Sequence, residues 1–389
     1  MVYRDKSEDR KELIRLRRWF HQHPELSMQE YETSRFISEY LSGAGIPNRI
    51  LGKTGVIGDL RVDDKLPTLA VRAEIDALPI EEQTGLAWTS CHPGKMHACG
   101  HDAIAAVVLF LAGILSGEKQ RLNCNVRFLF EPAEETGEGA RYMMANGALE
   151  DPKPDGILVF HFGNQESRSM EIQRSVSTAQ ICGLSIEVKG KASHWSQRSE
   201  GIDAMYAAAR IVIELQKMNE TCVTQRPFVL GFGLLQAGQG GNILAEKAEL
   251  TGSLRTFTDE DFEKLYLELN RRIQKIQQET GARITLQIIK KIPSIVNDPV
   301  LVEQGACIGR KLFGERFFLG EHPFLAGDNG AFYMEQVPGL RAVFLAGKEG
   351  ETAYPVHNPR FDIEEGVLLD ALEFLEEFVL SFPEKRLEP

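Results

Sequence analysis

The chain has no apolar run long enough to cross a bilayer. Its most apolar stretch, Ala103 to Leu115, falls short of the roughly 20 residues that a spanning helix needs. Cysteine is sparse: Cys91, Cys99, Cys124, Cys182, Cys222 and Cys307 are scattered along 389 residues. That spread gives no disulfide framework and suits a reducing cytosol. Positive charge is also in deficit, with 44 Lys and Arg against 56 Asp and Glu and a formal net charge of -12. Such a balance disfavours binding nucleic acid through phosphate neutralisation and leaves no basic stripe for an anionic membrane. The start of the chain, Met1 to Phe20, is charged throughout and lacks an apolar h-region, so no secretory signal and a cytoplasmic location are expected. Neither an internal repeat nor a low-complexity segment is present, which argues against a solenoid. What remains is an ordinary globular composition at a length that favours two or more domains.

The first part of the sequence alternates helices and strands. Amphipathic helices are expected over Glu8–His21 and Tyr31–Ala44, and strands over Thr68–Arg72, Asn125–Phe130 and Gly156–Phe160. The stretch Ala103–Leu115 reads as a helix that is apolar nearly all round, hence buried. Far downstream, Arg341–Leu345 reads as another strand and Ile363–Phe382 as a closing helix. Strands that are apolar throughout and separated by helices argue for an α/β domain with a mostly parallel sheet. Between these blocks the rhythm changes. Leu184–Val188, Phe228–Leu235, Ala248–Phe257 and Arg283–Ile289 read as strands, with helices at Gly201–Met218 and Asp259–Thr280. The order β-α-β-β-α-β is that of a ferredoxin-like unit. The expected division is therefore a discontinuous α/β domain (residues 1–180 and 293–389) interrupted by an α+β insertion (181–292).

Polar residues gather at the expected strand ends. Glu74 and Asp76 follow one strand, Glu134 and Glu135 a second, and His161 a third, and ligand sites in open α/β sheets form at the carboxyl ends of strands. The run Met96-His97-Ala98-Cys99-Gly100-His101-Asp102 offers thiolate, imidazole and carboxylate donors, a set suited to zinc and neighbouring first-row metals. Gly100 would let Cys99 and His101 turn towards one point. The plainer alternative is a buried free cysteine beside a core histidine. In the pair Glu134-Glu135, one carboxylate can ligate metal while the other accepts the proton of a water that the metal acidifies to a pKa of about 7. A solvated acidic loop is the plainer alternative there, with Glu138 nearby. His357 lies in a proline-bearing loop, His21 and His23 precede Pro24 and read as structural, and His92 and His322 read as surface residues.

Five segments taken together resemble a known family: Phe20-His21-Gln22-His23-Pro24-Glu25, Arg72 to Pro79, Met96 to Asp102, Glu131-Pro132-Ala133-Glu134-Glu135, and His357-Asn358-Pro359. The chain resembles the aminoacylase and carboxypeptidase family of two-metal hydrolases. It is most similar to the amidohydrolase branch of auxin-conjugate hydrolases, hippurate hydrolases and N-acetyldiaminopimelate deacetylases. The resemblance implies that Cys99, His101, Glu135, His161 and His357 ligate two divalent ions, whether zinc, manganese, cobalt or nickel. It implies Glu134 as general base and then acid, with Asp76 orienting a ligand such as His101. It also implies that the insertion is a lid and dimerisation domain. There His194 would stabilise the oxyanion in a partner subunit's site, while Asn242 and Arg255 hold the oxyanion and the substrate carboxylate, the latter suited to a guanidinium fork.

The chain departs from that branch at Glu74 (usually Asp), Ile104 (usually His), Glu131 (usually Gln), Asp328-Asn329-Gly330 (usually Glu-Asp-Phe), and Arg198 and Ala245 (usually Pro). None removes an implied ligand or Glu134, so the departures bear on substrate contacts more than on metal chemistry. The expected activity is metal-dependent hydrolysis of the amide of an N-acyl amino acid or small peptide-like conjugate by a homodimer. A dipeptidase or carboxypeptidase acting on free peptides, and a non-catalytic binding relative, are the rival readings.

Overall fold

A computed structural model describes residues 5–163, 168–347 and 353–383. Met1 to Arg4, on which the reading of the N-terminus partly rests, and residues 384–389 of the expected α/β domain lie outside them. In chain order the elements are α1 (Lys6–Gln22), α2 (Tyr31–Gly43), β1 (Asn48–Leu51), β2 (Gly55–Leu60), β3 (Thr68–Glu74), α3 (His101–Gly117), β4 (Asn125–Glu131), α4 (Gly139–Ala145), β5 (Gly156–Gly163) and β6 (Arg168–Gln173). There follow β7 (Gln180–Lys189), α5 (Ala204–Thr221), β8 (Val229–Ala237), β9 (Lys247–Thr256), α6 (Asp259–Thr280) and β10 (Arg283–Ile292). The chain closes with α7 (Pro299–Phe313), β11 (Phe317–Gly320), α8 (Gly330–Met334), β12 (Gly339–Ala346) and α9 (Val367–Leu380).

These elements pack as two units, one of Met1–Ser177, Val296–His322 and Asp328–Pro389, the other of Thr178–Ile295 and Pro323–Gly327. The first holds an eight-stranded sheet in the order β1-β2-β4-β3-β5-β12-β6-β11. Its centre, β4-β3-β5-β12, is parallel. The flank β1-β2 pairs antiparallel within itself and with β4, and β6 runs antiparallel to β12. Every residue of β3, β4 and β12 is buried, as helices on both faces of a parallel sheet require. Helix α3 explains its apolar girth: Ala103, Ile104, Val107, Val108, Leu111 and Leu115 are all fully buried in the core.

Four strands of this sheet went unforeseen. In β1, two of the four residues are exposed, and β2 holds two glycines in six, so neither shows the continuous apolar run by which the central strands are recognised. β6 and the edge strand β11 are short, polar or half-exposed. The strand expected to end before His161 instead runs on through Gly163, because β12 pairs with it residue by residue from Ile157 to Gly163.

The second unit carries the order β-α-β-β-α-β and an antiparallel sheet β10-β7-β9-β8. One sheet face is covered by α5 and α6, whose Ala207, Ile211, Leu215, Phe262, Leu265, Leu269 and Ile273 recur at helical spacing and are buried. Thr258 caps α6 by accepting the Asp261 N–H, and Gly281 ends it at φ +74°.

Candidate metal centre

The central strands of the first unit end side by side, with Glu74 of β3 in register with Glu131 of β4. Beyond β4 the chain reverses sharply. Ala133 takes a positive φ of 54°, its N–H donates to Glu30 Oε1 at 2.9 Å, and its carbonyl accepts the N–H of Gly139 at 3.1 Å. A Cβ at Gly139 would collide with the Pro132 carbonyl, so only glycine closes this turn, and Glu134 and Glu135 are left on its rim. A second turn forms at Gly100, whose φ of +91° precedes the first residue of α3. That conformation costs an L-residue roughly 1–2 kcal/mol. It lets Cys99 and His101 approach the same point, as the sequence suggested.

Ligand atoms of Cys99, His101 and His161 lie within 4.8 Å of one another, and so do those of Cys99, Glu135 and His357 and those of His101, Glu134 and Glu135. Cys99 Sγ is 3.7 Å from His161 Nε2, and His357 Nε2 is 3.3 Å from Glu135 Oε2. His161 points Nδ1 at the Phe162 carbonyl at 2.8 Å, which leaves Nε2 for the cluster. His357 sits at a positive φ of 67°, its N–H bonded to the Ala98 carbonyl at 2.7 Å. Asp76 accepts from Ser27 Oγ at 2.7 Å and from the Glu135 N–H at 3.0 Å. Burial works to raise its pKa, but the neighbouring His101 above all, and then these two bonds, hold its carboxylate below the usual range.

The donor set fits a cation. His101 Nε2 and Glu135 Oε1 are buried without a hydrogen-bond partner, a costly state unless something else engages them. Burial pushes the Cys99 thiol up to about 12 and Glu134 up to about 8. It drives His161 down to about 3, aided by Arg341, so its imidazole is neutral, as a ligand must be. A divalent cation stabilises thiolate and carboxylate and would reverse the first two shifts.

A buried charge network lies behind this cluster. Arg72, fully buried in β3, binds Glu131 Oε2 at 2.6 Å, Asp328 Oδ1 at 2.8 Å, and Glu74. Arg341 in β12 binds Asp328 Oδ2 at 2.8 Å. Three departures noted in the sequence thus meet on one guanidinium. The two arginines were not picked out, although a lone Arg in an otherwise apolar strand is a signal, since arginine is almost never fully buried unpaired. His21, read from the sequence as structural, is buried in α1, donates to Asp102 at 2.8 Å and lies 3.3 Å from Glu82, partners that the sequence did not indicate.

His194, Asn242 and Arg255 belong to the second unit. His194 and Asn242 are exposed on neighbouring loops, with the Trp195 N–H bonded to the Asn242 carbonyl at 3.2 Å and His194 bridged to Ile243. Arg255 lies elsewhere, near the far end of β9 opposite Ile181, with Nη1 bonded to the Leu325 carbonyl at 2.8 Å. The two loops lie beyond the Lys189–Lys247 pair that closes the other end of the sheet. The rise of a strand sets these ends about 25 Å apart.

Residues 70–381 match the peptidase family M20/M25/M40. The N-acetyl-L-cysteine deacetylase of Bacillus subtilis is 32% identical over 374 residues, covering 94% of this chain and 87% of that protein. The N-acetyldiaminopimelate deacetylase of Streptococcus suis is 31% identical, covering 95% and 98%. In three dimensions the chain is similar to the Bacillus subtilis YXEP protein, described as a dinuclear metal binding peptidase of the M20 family, with a TM-score of 0.81, 30% identity, and coverage of 96% and 98%. The chain belongs to peptidase family M20/M25/M40 and is a hydrolase.

Proposed function

We propose that the chain hydrolyses the amide bond of an N-acyl amino acid or a small peptide-like conjugate at a centre of two divalent cations. The observation that carries this reading is the overlap of three ligand groups, in which Cys99, His101 and Glu135 each occur twice. Five donors, with Glu134 beside them, exceed what one tetrahedral ion takes. Cys99, His101, Glu135, His161 and His357 would hold the ions, which would supply Lewis acidity and a water acidified towards neutral pH. The mixed sulfur, nitrogen and oxygen set suits zinc, manganese, cobalt or nickel. Glu134 is the general base. Its Oε1 accepts the Asn329 N–H, so Oε2 takes the proton of the attacking water and returns it to the leaving nitrogen. The named activities of two relatives, both deacetylases of N-acetyl amino acids, favour a small acyl group.

The remaining groups act across a homodimer. His194 and Asn242 would hold the developing oxyanion, and the Arg255 fork would receive the substrate carboxylate. One copy cannot bring His194 and Arg255 to one small substrate across about 25 Å of sheet, whereas two copies can. The edge strand β8 exposes Val229, Leu234 and Leu235, and α5 exposes Met205, Tyr206, Val212 and Ile213, an apolar surface of the kind a second copy covers. The enzyme would work in the cytosol on a small substrate, without nucleic acid or membrane.

The test is a panel of N-acetyl-L-amino acids against the matching free dipeptides, assayed with protein loaded with manganese or zinc. Acetate release from at least one N-acetyl substrate is expected, falling at least about 100-fold in Glu134→Gln. Faster cleavage of the free dipeptides, or activity that survives Glu134→Gln, would overturn the reading.

A further inference from the structure

The general base just proposed is gripped at two points by one residue of a distant segment. The Asn329 backbone N–H donates to Glu134 Oε1 at 3.3 Å, and its Nδ2 donates to the Glu134 carbonyl at 3.1 Å. Asn329 is fully buried and reaches Glu134 across 195 residues of sequence. The turn after β4 adds its own bond at this carbonyl, from the Gly137 N–H at 2.7 Å. Asn329 thus ties Glu134 to a segment outside its own turn, at both the carboxylate and the main-chain carbonyl.

The clasp is itself anchored. Asp328 Oδ1 accepts the Gly330 N–H at 2.8 Å and Arg72 Nη1 at 2.8 Å, and Oδ2 accepts Arg341 Nε at 2.8 Å. Both arginines are buried in central strands, β3 and β12. Their charges hold the Asp328 carboxyl well below the usual range although burial opposes it. Asp328 is thereby pinned to the sheet on two sides, and the peptide that follows it presents the Asn329 N–H at a fixed place.

Resting on the reading of Glu134 as base, we infer that Asn329 is a positioning residue. It orients the Glu134 carboxylate so that Oε1 is occupied and Oε2 faces the reacting water, and Asp328, held by Arg72 and Arg341, sets Asn329 in place. Nδ2 is the separable part of the device, because a side-chain substitution leaves the backbone donor intact. Its loss would let the Glu134 residue drift without removing any metal ligand.

The experiment compares Asn329→Ala and the isosteric Asn329→Asp, which lacks the amide donor, with the native holoenzyme on its best N-acetyl-L-amino acid. A fall in kcat of about 10- to 100-fold is expected, the scale on which misplacing a reacting group by about 1 Å costs rate. KM should stay within about twofold, and metal content and melting temperature should be retained. On a Glu134→Asp background, whose shorter base is already misplaced, the penalty of Asn329→Ala should shrink, since residues acting as a unit are not additive. An unchanged kcat in both variants, an equal penalty on the Glu134→Asp background, or loss of metal or fold in step with activity in both would overturn the inference. Glu134→Gln separates the two readings. If it stays active, the base assignment fails; if it is inactive while Asn329→Ala is as fast as the native enzyme, only the positioning role fails.

Discussion

His101 Nδ1 lies 2.9 Å from the backbone carbonyl of Asp76 and 3.3 Å from its carboxylate. A proton on Nδ1 is shared between these two oxygens, and the opposite nitrogen, Nε2, is left with its lone pair directed into the cluster. The carboxylate also receives the Glu135 N–H, so one aspartate sets the direction of two donors that lie 34 positions apart in the sequence.

Replacing Asp76 therefore weakens metal holding rather than folding. Asp76→Ala is expected to lose about 10- to 100-fold in metal affinity, while Asp76→Asn, which can still accept at Oδ1, loses less. Titration with zinc against a chromophoric chelator measures this directly. Unaltered affinity in Asp76→Ala would mean that the carbonyl alone orients the ring.

Removal of metal should act on stability as well as on rate. Cys99 is a buried thiol whose ionisation is suppressed, and His101 and Glu135 each bury an atom with no hydrogen-bond partner; a ligand that binds only the folded state stabilises it in proportion to the logarithm of its concentration over Kd. Dialysis against a chelator is expected to abolish turnover and lower Tm by several degrees, with both restored by manganese or zinc. In Cys99→Ala the Tm gain on adding metal should shrink. A Tm insensitive to metal would count against these residues as ligands.

How much of this was legible in the sequence depends on what each residue's role leaves as a trace. The central strands β3, β4, β5 and β12 are buried on both faces and so spell continuous apolar runs; the flanking strands β1, β6 and β11 do not. Cys99 and His101 could be singled out because a thiol and an imidazole stand two positions apart in one short run, and Glu135 because paired acids follow a strand end. Arg72 and Asp328 could not be joined, because the bond between them spans 256 residues. The exposed loops of His194 and Asn242 carry no periodicity at all, and only the family resemblance drew attention to them.

The His21–Asp102 pair makes a prediction about pH. Burial opposes a charged His21, but the bonds to Asp102 and Glu82 outweigh it and push its pKa up to about 9. A raised pKa means that the folded chain binds the proton more tightly than the unfolded one. The stabilisation is thus fully present below about 6.5, the unfolded value, and is lost as pH rises through about 9. Native protein should exceed His21→Gln in stability by a few kcal/mol near neutrality, and the gap should close by pH 10. Denaturant unfolding of both proteins at pH 7 and pH 10 measures it, and a gap that widens with pH would contradict the charged pair.

The dimer can be tested without a structure of it. If His194 serves the partner's centre, a subunit carrying His194→Ala and one carrying Glu134→Gln complement each other when mixed. The mixed dimer contains one centre with an intact Glu134 and the partner's intact His194, and a second centre lacking both. Random exchange makes half the dimers mixed, so recovery should approach about a quarter of native activity. Were His194 to act within its own subunit, each mixed dimer would hold two defective centres and mixing would restore nothing. Charged substitutions on the exposed faces of α5 and β8, such as Ile213→Glu with Leu235→Lys, should yield monomers that keep their metal yet hydrolyse no faster than His194→Ala. Sedimentation and turnover measured on the same sample distinguish that outcome from a monomer that retains full activity, which would place every required group within one subunit.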